Sequence, residues 1–227
     1  MSLLDKTNLL ITANAFKAGK LYSVIPASGT GDCTVVRNTI ATRKNSAGLL
    51  VSVAANIPRI NYLVAGGASF ILDEEQRTNL VTYSTDLSNG VWTPRTATIT
   101  FNQGISPDGQ NNAVKIVRGG VSDFVTNAYN PSNVLNHSRT IWAKTVSGTG
   151  STNLLSRFDN TNTFFFITNE WQRFEINSVN SSTPNLFYAV DFRAAGNTLS
   201  EILVWQPQAE VGAAASSEIF TLASAVT

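Results

Sequence analysis

Fifteen carboxylates, one histidine and one cysteine are the side chains of this 227-residue sequence best suited to acid–base or nucleophilic chemistry. Their spacing gives them little to work with. His137 lies in Pro131-Ser132-Asn133-Val134-Leu135-Asn136-His137-Ser138. A catalytic imidazole needs a nucleophile and an orienting acid within reach, and none is adjacent, so the sequence predicts an exposed loop histidine just before a strand. A sole histidine also removes any multi-histidine metal site. Cys33 has no base beside it to generate a thiolate and reads as a small buried hydrophobe. Glycosidic cleavage needs two carboxylates about 5–10 Å apart in a cleft. The acids Asp73, Glu74, Glu75, Asp86, Asp123, Asp159, Glu170, Glu175, Asp191, Glu201 and Glu210 are scattered, and no Gly- or Trp-flanked acidic motif marks a pair. Glu175 and Glu201 fall in alternating strands, where they are expected to face solvent or to pair with Arg173 or Arg193. Asp108 with Asn111, and Asp159 with Asn160 and Asn162, read as Asx-rich turns before they read as calcium loops. The glycine-rich stretches match no phosphate-cradling pattern. The sequence therefore predicts no catalytic residues, no metal and no cofactor.

Sugar recognition asks for flat aromatic faces beside amides and other hydrogen-bonding groups. Trp142, Trp171 and Trp205 sit within or at the edge of apolar strands and are expected in the core. Tyr129, in Thr126-Asn127-Ala128-Tyr129-Asn130-Pro131, is the aromatic expected on an exposed loop, where binding functions concentrate. With Asn127 and Asn130 it forms the candidate glycan site.

Hydrophobic residues make up 43% of the chain and charged residues only 14%, so the polar surface must be built from Asn, Ser, Thr and Gln. Short uncharged groups are cheap to bury against neighbouring subunits, because no ion is desolvated. Sixteen basic and 15 acidic residues give a net charge of +1 with no Lys/Arg run, which argues against a nucleic-acid partner. The longest apolar run falls far short of the roughly 20 residues that span a bilayer. The N-terminus does not read as a signal peptide, and one cysteine excludes an internal disulfide.

The elements follow from alternation. Leu9–Thr12, Lys20–Ile25, Thr34–Arg37 and Leu49–Val53 read as short strands around the turns Pro26–Asp32 and Arg43–Gly48. Residues 1–76 carry too little apolar mass for an independent core and read as an extended, strand-containing N-terminal arm, which orders by burying surface on something else. From residue 77 to 227 eight longer strands recur, beginning with Thr96–Phe101 and Asn111–Val117 and ending with Leu199–Trp205. Asn/Gly/Pro/Ser turns separate them, so the class is all-β, an antiparallel β-sandwich of jelly-roll type. No helical period appears beyond a short turn near Asp73 to Arg77.

Three blocks of the sequence resemble a known family. Phe70-Ile71-Leu72-Asp73-Glu74-Glu75-Gln76-Arg77-Thr78-Asn79-Leu80-Val81-Thr82-Tyr83-Ser84-Thr85-Asp86-Leu87-Ser88-Asn89-Gly90-Val91-Trp92 is similar to the "EPQRTNLLxYSExFxNxxW" segment of structural proteins of tailed bacteriophages. Glu74-Glu75 replaces the usual Glu-Pro. Lys20–Pro26, Gly29–Asp32 and Ala41–Leu49 resemble the family's opening, and Trp205–Gly212 followed by Ser216–Thr221 resembles its close. The resemblance implies a carbohydrate-module-like sandwich and a non-enzymatic virion protein, capsid-decorating or part of a head fibre or tail fibre. It implies a homotrimer as partner state, contact with other virion proteins such as the major capsid protein, and synthesis in the host bacterial cytoplasm. Trp92 is expected to pin the first sandwich strand. Arg59 and Arg77 lie in blocks that also resemble the family's, Ile57-Pro58-Arg59-Ile60-Asn61-Tyr62 and Gln76-Arg77-Thr78-Asn79, and the rigid five-donor guanidinium suits them as structural clamps holding a turn or a carboxylate between arm and sandwich. The alternative is a host-glycan-binding module, and a polysaccharide-degrading enzyme ranks last.

Overall fold

The computed structural model describes residues 6–120, 124–127, 136–157, 163–180, 187–193 and 195–227. These contain strands and turns, with no α-helical element among the described residues. The chain divides into two compact units, residues 1–75 and 76–227.

In the first unit, β1 (Leu10–Lys17), β2 (Lys20–Ile25) and β3 (Cys33–Thr34) form a three-stranded antiparallel sheet. Two hairpins follow, β4 (Ala41–Lys44) with β5 (Leu50–Val53), and β6 (Ile60–Tyr62) with β7 (Ser69–Ile71). The strands are short, and the buried aliphatic side chains are Leu21, Leu50, Val53 and Ile60, with Pro58 beside them. With so small a core, much of the order comes from polar side chains that tie down backbone. The Arg37 guanidinium donates to the carbonyls of Thr39, Val53 (3.3 Å), Ala54 (2.7 Å) and Ile57 (2.9 Å). Arg43 donates to Ile60 O at 2.7 Å. Asp32 accepts from the Ser23 amide at 2.8 Å and pairs with Lys20 at 2.7 Å, and these contacts hold its carboxyl below the usual carboxylate range. Gly31 makes this approach feasible, since a Cβ there would stand 2.6 Å from Leu9 Cδ1.

The second unit is the sandwich. Its strands are β8 (Trp92–Arg95), β9 (Thr98–Thr100), β10 (Val114–Val117), β11 (Phe124–Asn127), β12 (Asn136–Lys144), β13 (Gly150–Arg157), β14 (Phe164–Ile167), β15 (Gln172–Asn180), β16 (Phe187–Asp191) and β17 (Glu201–Val211). They form two five-stranded antiparallel sheets, ordered β15-β12-β17-β10-β9 and β14-β13-β16-β11-β8. The chain passes back and forth between the sheets, and the inward residues meet in one apolar core. Ile116, Val125, Ile141, Leu154, Ile167, Val190, Phe192 and Ile202 are fully buried there.

The expected all-β antiparallel sandwich is the fold. Its described strands number ten rather than eight, because β8 and β11 are too short and too interrupted to show alternation. β8 carries Pro94, which is tolerated because β8 lies at a sheet edge. The helical turn expected near Asp73 to Arg77 does not form; that stretch is irregular. Arg43 and Lys44, read as loop, belong to β4. β17 runs six residues past its expected end at Trp205, and the reason is a bulge. Trp142 pairs with Trp205 but Thr140 pairs with Gln208, so one extra residue sits on β17 there. Gln206 takes a left-handed φ of 52°, and Pro207, which has no N–H to offer the ladder, occupies the irregularity. The bulge also shifts the alternation: Ile202 and Val204 face the core before it, Ala209 after it.

Candidate functional site

The densest polar constellation among the described residues is buried, and it is built from the Phe70–Trp92 block and the closing Trp205–Thr221 block. Asn79 is fully buried. Its Nδ2 donates to Ile219 O at 2.8 Å, and its Oδ1 accepts from the amides of Val81 and Ala209, each at 3.1 Å. One amide side chain thus joins residues 79–81, β17 and the C-terminal segment. Ser84, also fully buried, accepts at Oγ from Gln206 Nε2 (3.1 Å) and the Thr221 amide (2.9 Å). Thr221 Oγ1 donates to Val81 O at 2.6 Å, and Trp92 Nε1 donates to Tyr83 O at 2.9 Å. The left-handed backbone at Gln206 serves this seam, since it turns the Gln206 amide toward both Ser84 and Ile219 O (3.0 Å).

A second layer lies where residues 216–221 cover the outer face of the β15-β12-β17 sheet. Phe220 meets Trp205 edge-to-face, with ring centroids 5.7 Å apart. Glu218 accepts from Trp142 Nε1 at 2.8 Å and faces Arg173 Nε at 3.3 Å. Arg173 also donates to Ser216 O at 2.7 Å and Thr140 Oγ1 at 3.2 Å. Glu210 accepts from Gln208 Nε2 and from Ser216 Oγ at 2.8 Å. Burial pushes the Glu210 carboxyl above the usual carboxylate range, against the pull of those hydrogen bonds and of Arg173.

That shift carries a testable sign. The folded chain holds the Glu210 proton more tightly than the unfolded chain, so stability from this group is full below the ordinary carboxylate value and is lost as pH rises through the folded one. Glu210→Gln does not titrate. Its thermal midpoint is expected to fall less than the wild type's between about pH 4.5 and neutrality. Equal slopes in the two proteins would remove Glu210 from the account.

Chemically, this arrangement closes rather than opens a surface. Of its two buried carboxylates, Glu218 pairs with Arg173 and Glu210 is held by Gln208 and Ser216. No group of three or more His, Cys, Asp or Glu side chains among the described residues is arranged to hold a metal ion.

No family model and no curated protein matches the chain. Solved structures show likenesses at low scores. One is an arabinose-bound MgGH51 α-L-arabinofuranosidase, at 14% identity and TM-score 0.36, covering 58% of this chain and 25% of that one. Another is the enzymatically active domain of tailspike protein 4 of bacteriophage CBA120, at 11% and 0.37, covering 59% and 21%. A third is the xylan-binding domain of carbohydrate-binding module family 22, at 11% and 0.38, covering 60% and 95%. The match thus spans a quarter or less of the first two proteins. At these scores the likenesses transfer no residue, ligand or activity to this chain.

The structure places the sequence-predicted residues as follows. Arg59 Nε donates to Thr42 O at 2.9 Å and Arg59 Nη1 pairs with Glu74 at 2.8 Å, both within the first unit. Arg77 Nη1 donates to Val211 O at 2.9 Å within the second. Gly212 gives Arg77 its room, since a Cβ there would stand 2.4 Å from Nη1. Tyr129 and Asn130 lie outside the described residues, as do Asp159, Asn160 and Asn162. Asn127 ends β11, opposite Phe187 and Trp92 in the backbone register.

Several expectations are corrected. His137 is not an exposed loop residue but lies buried in β12, paired with Val179 and Val211, because that strand begins earlier than alternation suggests. Cys33 is exposed, since β3 is a two-residue edge strand. Trp142 and Trp205 are buried, but under the C-terminal segment rather than between the sheets. Trp171 precedes β15, half-buried, donating to Ile105 O at 2.8 Å with Lys144 over its ring. Arg173 and Arg193 pair with Glu218 and Asp191, while Glu175 accepts from Asn177 and Glu201 faces Lys115 at 3.7 Å. Asp108 makes the Asx-type turn, accepting from Ser106 Oγ and the Gln110 amide. The polar residues of the buried seam were not singled out from the sequence. Their one signal was Gln-Pro-Gln-Ala-Glu continuing an apolar strand, where a proline marks a bulge.

Proposed function

We propose that this chain is a non-enzymatic structural protein of a tailed-bacteriophage virion, a capsid-decorating, head-fibre or tail-fibre component that assembles with copies of itself through its N-terminal unit. The three ordered sequence blocks motivate the virion assignment. The observation that carries the assembly reading is the apolar balance of the first unit. Val36, Ile40, Leu63 and Val64 are 76%, 67%, 76% and 65% exposed, as many aliphatic side chains as that unit buries. Among the described large hydrophobics of the sandwich, only Leu222 is as exposed, with Phe166 next at 63%. A unit that shows water as much aliphatic surface as it hides is built to be covered by a partner. The burial of Glu210 and Glu218, whose partners are side chains and backbone of the unit itself, supports the non-enzymatic part of the reading.

Two measurements test it. Antibody against the recombinant chain, gold-labelled on intact particles, is expected to decorate the head or the tail; particles free of gold would refute the virion assignment. By sedimentation the full chain is expected to form a homo-oligomer, a trimer in the family pattern. The double variant Leu63→Asp, Val64→Asp is expected to sediment as a monomer with an unchanged sandwich midpoint. An unaltered oligomer in that variant would move the interface elsewhere. The second reading, a host-glycan-binding module, rests on Tyr129, Asn127 and Asn130. Array binding that Tyr129→Ala abolishes would favour it.

A further inference from the structure

Among the described residues the sandwich ends on four strand edges, and three of them carry devices that block pairing with another chain. β8 has Pro94 and Arg95, β9 is three residues long, and β15 presents Arg173 and Glu175. β14, four residues long, carries neither charge nor proline. Its sequence is Phe164-Phe165-Phe166-Ile167, and Thr163 and Thr168 flank it, so six consecutive positions hold neither charge nor proline. Among the described residues it pairs with β13 alone. Ile167 lies in the core and Phe165 packs against it, while Phe164 and Phe166 face outward, 41% and 63% exposed. The backing is firm: the Phe164 ring lies over Gly196, where a Cβ would stand 2.9 Å from it. Natural sheets rarely leave a hydrophobic edge in this condition unless something pairs with it.

We infer that β14 is a self-association edge, pairing antiparallel with β14 of a second copy of this chain across a twofold axis. The occupant follows from the edges. A strand edge is completed only by another strand, and of the four sandwich edges a second copy offers, three are obstructed. A twofold axis perpendicular to the sheet keeps outer faces together, so directly opposed residues must match in alternation. The register that opposes Phe165 to its own copy sets Phe164 against Phe166 of the second copy, twice by symmetry. It converts all the exposed aromatic surface of β14 into cross-strand aromatic pairs. The contact is small and of the weak class, and it gains strength where several copies are already held together. It is independent of the N-terminal interface proposed above, and in a higher assembly it joins sandwiches in pairs.

The test uses the full chain. Sedimentation equilibrium over a wide concentration range is expected to show a step that doubles the mass of whatever unit exists at low concentration. Phe166→Lys, at an exposed position, is expected to leave the thermal midpoint unchanged and to raise the dissociation constant of that step at least ~10-fold. Phe164→Lys is expected to raise the same dissociation constant, with a lowered thermal midpoint because its ring packs over Gly196. Amide hydrogen exchange across residues 164–167 is expected to slow as the wild type is concentrated, and not in either variant. Absence of a doubling step would overturn the inference and leave β14 for a strand of some other protein. A doubling step that both lysine variants tolerate, or that brings no exchange protection to β14, would overturn it as well.

Discussion

Asn79→Ala is expected to cost about 3–5 kcal/mol and to lower the thermal midpoint of the sandwich by roughly 10 °C. The side chain is fully buried and makes three hydrogen bonds to backbone in three different parts of the unit. Truncation leaves the amides of Val81 and Ala209 without that acceptor, while Ile219 O keeps Gln206 Nε2. Each buried orphan costs about 1–3 kcal/mol, more than the small apolar loss of the side chain itself. Asn79→Asp is the informative companion, because it keeps the acceptor for both amides and loses only the donor to Ile219. It should fall between wild type and alanine, after allowance for burying a charge. Near-UV circular dichroism during heating reads the transition through the tryptophans. A midpoint within a degree or two of wild type in Asn79→Ala would mean that water replaces the amide and that the seam is not a lock.

Removal of residues 213–227 is expected to abolish cooperative folding of the sandwich. Terminal segments ordinarily tolerate deletion. This one supplies Thr221 to Val81 and Ser84, Leu222 O to the Tyr83 amide at 2.7 Å, and Val226 O to the Asn79 amide at 2.9 Å. It also covers Trp142 and Trp205 and gives Arg173 its carboxylate. Losing several buried hydrogen bonds together with the cover of two tryptophans exceeds about 5 kcal/mol, a large share of the stability of an ordinary domain. The expected readout is a broad, low-temperature transition with weakened near-UV signal and red-shifted tryptophan fluorescence. Thr221→Val isolates the hydroxyl at nearly constant shape. It is expected to lower stability by about 2–3 kcal/mol, since it removes a donor to Val81 O and an acceptor for the Ser84 amide. A truncated chain that still unfolds in one sharp transition near the wild-type midpoint would show that the segment only decorates the sheet.

Much of the fold was legible because alternation is a local signal. Thr-Ile-Thr and Val-Lys-Ile-Val each announce one more polar and one apolar face, whatever they pair with. Strands such as Phe124–Asn127 escaped because four residues hold too few alternations to outweigh the turn-forming residues around them. The same limit hid β4, β6 and β7 in the first unit. Residue chemistry set further bounds without any structure: a single histidine, a single cysteine and scattered acids offer no evident catalytic set, and the even charge offers no footprint for nucleic acid.

The buried seam was another matter. Asn79, Ser84, Gln206 and Thr221 are unremarkable polar residues in the chain, and Ser84 and Thr221 are 137 positions apart. Nothing local distinguishes a serine that faces water from one that accepts two hydrogen bonds in a closed interior. That distinction depends on which distant segment arrives to cover it. The bulge at Gln206 and Pro207 shifts the alternation of β17, and the return of the C-terminal segment decides that Trp142 and Trp205 are covered from outside the sheet. Local sequence determined which stretches are strands and which face of each is apolar. Tertiary structure decided what lies on top of the other face, because burial is set by contacts between segments far apart in the chain.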